Sequence, residues 1–205
     1  MGAELFGRFS SDCEVYVSQM MLTRLGYPLW RPTPDENLPM PYRVHGLSIG
    51  DFGCINDDGG FDYFFNALYD ETHARQSTTI PPNFDPWPQP ANSIPNVRLA
   101  IADNVLTHDI FVSKYSIHCD THEPGAILLL PDGAYQEDLR IYTNLKKYIA
   151  EHAENWYAYI KTDLGFPIDR DSLYFITGFT KAKTWGIASY GSTSPKEDIA
   201  LEFRS

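Results

Sequence analysis

Hydrophobic residues recur along this chain with two periods, and the switches between them divide it into elements. Leu139, Tyr142, Leu145, Ile149, Ala153, Trp156 and Ile160 follow one another at intervals of three and four. That spacing predicts one stripe of a helix reaching about Lys161, ended by Gly165 and Pro167. A second helix is expected from Ser11 to about Leu25, because Ser11-Asp12-Cys13-Glu14 has capping-box spacing and Gly26 stops it. Arg43 to Phe65 reads as strands: Val44, Leu47, Ile49, Phe52 and Ile55 fall between glycines and run into Asn56-Asp57-Asp58-Gly59-Gly60, a reversal that predicts a hairpin. Ala126-Ile127-Leu128-Leu129-Leu130 is an unbroken apolar run suited to a strand buried on both faces, closed by Pro131-Asp132-Gly133. Val97 to Ala102, Ile110 to Cys119, Ser172 to Thr180 and Thr184 to Tyr190 also have strand composition, the last two around Lys181-Ala182-Lys183. Ala200 to Arg204 supplies a final strand.

Prolines punctuate this pattern. Pro28, Pro32, Pro34 and Pro39 keep the chain extended, with Leu29 and Trp30 as anchors. Residues 77–96 hold Pro81, Pro82, Pro86, Pro88, Pro90 and Pro95, too many missing amide donors for a central strand or a helix interior. The flanks are too short for two confident cores, so 77–96 is read as a surface crossing within a single domain spanning 1–205. Trp87, between two of these prolines, suits a loop anchor or a recognition element. The elements together predict an α+β fold: a mixed sheet with β-hairpins and a long amphipathic helix packed on one face.

Charge narrows the choice of partners. Among 205 residues, 16 Lys and Arg face 27 Asp and Glu, a formal charge of −11, which disfavours nucleic acid and anionic lipid. Cys13, Cys54 and Cys119 form no CxxC pair, so neither a disulfide framework nor a zinc–cysteine site is supported, and a reducing compartment is the simplest setting. The first residues lack the layout of a secretion signal, position 6 is Phe where a myristoylation signal prefers Ser or Thr, and no apolar run approaches the roughly 20 residues that span a bilayer. The expectation is a soluble, cytoplasmic protein.

Candidate chemistry is sparse. In an extended segment His118, Asp120 and His122 point to one side and offer a divalent metal two imidazoles and a carboxylate, although Pro124-Gly125 marks a strand end, where polar residues are usually solvated. Asp51, Asp57 and Asp58 do not match the alternating ligands of an EF-hand, and the turn accounts for the last two better. There is no GxSxG elbow and no GxxxxGK[ST] loop. Gly46, Gly50 and Gly53 are followed by no helix that would cradle phosphate, and strand bends explain them. Cys54 reads as a small buried thiol and Trp156 as core. No motif calls for a cofactor.

Several stretches carry a resemblance: Gly26-Tyr27-Pro28-Leu29-Trp30-Arg31-Pro32; Gly46 to Gly53 with Phe61 to Asn66; Gly125-Ala126 through Gly133-Ala134; Asn155-Trp156-Tyr157; Ser172 to Lys181; and Trp185-Gly186. Over nearly its whole length the chain resembles an uncharacterised family that mushroom-forming basidiomycete fungi encode in many copies. Members often continue past the equivalent of residue 205, which implies a short or truncated member. The resemblance brings no activity with it, and His118 and His122 lie outside the shared pattern. A fainter likeness is to gasdermin pore-forming domains, which also place a helix between an aliphatic strand and one similar to Leu173-Tyr174-Phe175-Ile176-Thr177. That likeness implies membrane hairpins and a basic lipid-facing patch, for which Lys146, Lys147, Lys161, Lys181 and Lys183 are the available cations. The leading expectation is a soluble intracellular binding or signalling module without catalysis, contacting a protein partner or small ligand through Trp30 and Trp87. The alternatives are a gasdermin-like pore former and a metal-dependent hydrolase using His118, Asp120 and His122.

Overall fold

The computed structural model describes residues 11–87, 124–139 and 143–191, and the backbone of short strands at 100–101, 105–106, 111–113, 116–119 and 199–202. In chain order the elements are α1 (Asp12–Met20), α2 (Met40–His45), β1 (Asp51–Ile55), β2 (Phe61–Asn66), β3 (Ala100–Ile101), β4 (Val105–Leu106), β5 (Phe111–Ser113) and β6 (Ser116–Cys119). They continue with β7 (Gly125–Leu129), β8 (Ala134–Asp138), α3 (Thr143–Ala158), β9 (Leu173–Phe175), β10 (Gly178–Lys181), β11 (Gly186–Tyr190) and β12 (Ile199–Glu202). Helices and antiparallel ladders make this the α+β fold that the patterning predicts. The chain forms two compact units, one of Met1–Trp30, Ala100–Tyr135 and Lys181–Ser205, the other of Arg31–Leu99 and Gln136–Thr180.

In the first unit, α1 begins where its cap predicts: the Ser11 side chain accepts a hydrogen bond from the Glu14 amide at 3.2 Å. The helix tightens into a 3-10 turn at Met21–Thr23, and Arg24, in the left-handed region at φ 59°, ends it two residues before Gly26. Tyr16 and Met20, one turn apart, pack on Ala126 with Trp30, Leu128 and Ile187 around them. β7 lies between β4 and β11 and is buried along its length without alternation, as its unbroken apolar run predicts. The stretch expected as one strand from Ile110 to Cys119 is instead a hairpin, β5 against β6, with Ser113 opposite Ser116. The expected strand residues Val97 to Leu99 lie outside the described residues.

In the second unit, β1 pairs with β2 through the expected turn and with β9 on its other edge. The Asn56 side chain closes the turn by accepting from the Gly60 amide and donating to Asp62. Gly53 sits at a register shift, where a Cβ would lie 2.2 Å from the Asp62 carbonyl, so no larger residue fits. Arg43 and Val44, expected in a strand, belong to α2. Pro41 occupies its first turn, where the missing N–H costs nothing, and Gly46, at φ 66°, closes it by donating to Tyr42 O. Ser172 to Thr180 also divides: Ile176 bonds the backbone of Gly50 and Asp51, then the Thr177 carbonyl turns to accept from Leu139.

Helix α3 covers the sheet with Leu145, Tyr148 and Trp156, continued by Ile160. Trp156 sets its ring edge-on to Phe52 at 5.1 Å and Phe65 at 5.4 Å. The helix then widens into a π turn at Tyr159–Asp163, with Leu164 donating to Tyr159 O, and stops at Gly165 in the left-handed region. The first half of the proline-rich crossing lies on this core. Phe84 meets Phe65 edge-on at 5.5 Å, and Trp87 is buried with its amide on the Ala67 carbonyl, while 88–96 lie outside the described residues. Replacing Trp156 by Ala is expected to cost about 3–5 kcal/mol of unfolding free energy, measured by urea denaturation.

Candidate functional site

The first residue of β1 is an acid in an apolar setting. Asp51 has 0% exposure, and three donors enclose its carboxylate. The Tyr42 hydroxyl, carried in by α2, and the Ser48 amide reach Oδ2 at 2.9 and 2.6 Å, and Asn66 Nδ2 reaches Oδ1 at 2.7 Å. Gly50, at φ 90°, makes the bend that brings Ser48 and Asp51 together, and a Cβ there would collide with Leu68 and Asn66.

Asn66, the last residue of β2, joins this cluster to a second one. Its Nδ2 also donates to the Ile49 carbonyl at 2.9 Å and its Oδ1 accepts from the Leu68 amide. Its backbone forms a two-way contact with the buried Gln76: the Asn66 amide donates to Oε1 and Gln76 Nε2 donates back to the Asn66 carbonyl, both at 2.9 Å. Gln76 Nε2 donates as well to Tyr69 O, while Oε1 accepts from the Ser77 amide and lies 3.1 Å from the Tyr63 hydroxyl. The Tyr63 ring lies 4.2 Å from that of Tyr42, tilted by 31°, which closes the circuit. Every side-chain nitrogen and oxygen of Asp51, Asn66 and Gln76 is thereby engaged, and Ser189 Oγ, in the first unit, is the one buried side-chain oxygen among the described residues without a partner.

Burial pushes Asp51 up to about 6, although the bonds from Asn66, Ser48 and Tyr42 and the positive charge of Arg75 pull the other way. The same burial, with the Asp51 charge nearby, carries the Tyr42 and Tyr63 hydroxyls far above the ordinary phenol range. An acid enclosed by donors holds loops in place. It has no open face from which to exchange a proton with a substrate.

The segment from Ala67 to Gln76 is closed into a loop by this network and carries the groups next to solvent. Tyr69 stacks on His73 at 3.7 Å and 17°, and the half-buried Arg75 guanidinium lies 5.3 Å from the Tyr69 ring centre. Arg75 Nη2 donates to Ser48 Oγ at 2.6 Å and to the Tyr69 hydroxyl. Asp70 turns its carboxylate into the loop, accepting from the Thr72 amide and hydroxyl at 2.8 and 2.6 Å, which hold it below the usual carboxylate range.

The residues singled out by sequence lie elsewhere. Trp30 is half-buried with its ring 5.3 Å from Tyr16 in the first unit. Trp87 is an anchor: 7% exposure leaves almost none of its indole for a partner. His118 contributes backbone to the middle strand of β5–β6–β12. Its side chain, and Asp120 and His122 entirely, lie outside the described residues. Asp58 pairs with Arg31 at the surface, and burial first, then Asp62, pushes the Cys54 thiol up to about 11. Among the described residues no helix is long and apolar enough to cross a membrane. Sequence reasoning weighed Asp51 only as a metal-loop acid and passed over Asn66, Tyr69, His73, Arg75 and Gln76. The available signal was an acid opening an apolar strand immediately after Gly46 and Gly50.

No protein-family model matches the chain, and neither a curated protein nor a solved structure matches it at a significant level.

The raised Asp51 value fixes the sign of a pH effect. The folded chain holds this proton more tightly than the unfolded chain, whose value is near 3.8, so the contribution is complete below about pH 4 and lost as pH rises through about 6. The unfolding free energy of the native protein minus that of Asp51→Asn should therefore fall by up to about 3 kcal/mol from pH 4 to pH 7, by urea titration at each pH.

Proposed function

We propose that this chain is a binding module without a reaction of its own, and that the loop at 67–77 is its ligand-facing element. The supporting observation is the division of labour around β1 and β2. The buried acid and both buried amides are fully committed to holding the loop, whereas Tyr69, His73 and Arg75 are carried at its accessible side. A site built on a rigid hairpin and closed by side-chain bonds to backbone is preorganised, which lowers the ordering cost of binding.

Amide-resolved NMR of the labelled protein against a mixed library of small polar ligands should place the responding signals within 67–77, with no turnover on a broad panel of hydrolase substrates. Turnover that disappears in Asp51→Asn, while that variant keeps its amide spectrum, would replace this reading with an enzyme using Asp51 as acid or base.

A further inference from the structure

We propose that Arg75, with His73 and the Tyr69 ring, forms a site for an oxyanion, the phosphate or carboxylate group of a small ligand. The proposal rests on the binding reading and adds the chemistry of what is bound. A guanidinium presents five N–H donors in a planar fork that matches the paired oxygens of such groups. Both side-chain hydrogen bonds of Arg75 leave from Nη2, toward neutral hydroxyls, so Nε and Nη1 have no acceptor among the described residues. No carboxylate among them lies within ion-pair distance of Arg75, whereas Arg31 and Arg170 are paired at the surface with Asp58 and Glu154, at 3.0 and 2.8 Å. In a chain with 27 acids to 16 Lys and Arg, a half-buried arginine whose side-chain hydrogen bonds among the described residues go only to hydroxyls stands out. Asp51 acts on it through space and is enclosed already: Arg75 bonds the Ser48 hydroxyl while the Ser48 amide bonds Asp51.

His73 supplies a second donor. Its Nδ1 accepts from the Arg75 amide at 3.2 Å, which assigns the proton of the neutral ring to Nε2, on an exposed side chain. Stacking on Tyr69 holds the imidazole, and the hydrogen bond from Nη2 to the Tyr69 hydroxyl holds the guanidinium. Of the acids nearest in sequence, Asp70 is bonded by Thr72 and also acts on the neighbouring His73, and Glu71 is exposed.

The test is amide NMR of the full chain titrated separately with inorganic phosphate and with acetate, at ionic strength matched with chloride. Saturable shifts confined to residues 69–77 are expected with at least one anion, and the stronger of the two names the ligand group. Arg75→Lys keeps the charge that Asp51 feels but loses the fork, and should weaken that binding roughly tenfold, the worth of one charge-assisted hydrogen bond. His73→Ala, at an exposed position, should weaken it about fivefold and serves where an Arg75 variant does not fold. No saturable response to either anion, a response mapped elsewhere, or equal affinity in the native protein and His73→Ala would overturn the assignment. Loss of the anion response alone leaves the binding reading standing if another ligand still shifts 67–77. Turnover lost in Asp51→Asn sinks the binding reading independently of the anion result.

Discussion

A carboxylate without solvent governs the second unit. Moving an ionisable group from water into protein is costly unless donors replace its hydration, and Asp51 recruits them from three directions: a phenol on α2, an amide in the bend before β1, and an amide side chain at the end of β2. Each donor fixes a piece of backbone. Tyr42 sets the position of a short helix, Ser48 requires the left-handed turn at Gly50, and Asn66 ties the hairpin's far end to the loop beyond it.

The loop inherits its order from that arrangement. Ala67 to Gln76 has no regular structure of its own, yet Gln76 returns to the Asn66 backbone and makes the two ends of the loop neighbours. The crossing beyond the loop adds a further tie: the Trp87 amide bonds the Ala67 carbonyl, and Phe84 packs on Phe65. Buried and accessible groups are therefore separated within a few residues: the Asn66 and Gln76 amides face inward, the arginine is half-buried and the imidazole is exposed.

What could be read from the sequence was whatever depends on local pattern. The stripe through Leu145, Trp156 and Ile160 locates α3, the Asn56 to Gly60 reversal locates the hairpin, and the unbroken aliphatics of β7 announce a strand buried on both faces. Failures came where a long-range partner decides. Met40–His45 is too short to show a helical period and contains a proline, so its helix is set by Tyr42 reaching Asp51. Ser172 to Thr180 has the composition of one strand, but Ile176 and Thr177 take backbone partners in two different places. The Asp51 cluster was the hardest to see because it joins residues 42, 48, 51, 66 and 76, none of which is unusual alone. Trp87 stands out in sequence for its proline neighbours, and its burial in the core is set by long-range contacts, its amide bonding the Ala67 carbonyl.

Asp51 and Gln76, which do not touch, act as one unit through Asn66. A double-mutant cycle of Asp51→Asn and Gln76→Leu, read as unfolding free energies in urea at pH 7, measures this directly. A coupling of about 1 kcal/mol or more is expected, with the double variant less destabilised than the two single changes summed. Additivity within about 0.5 kcal/mol would contradict it.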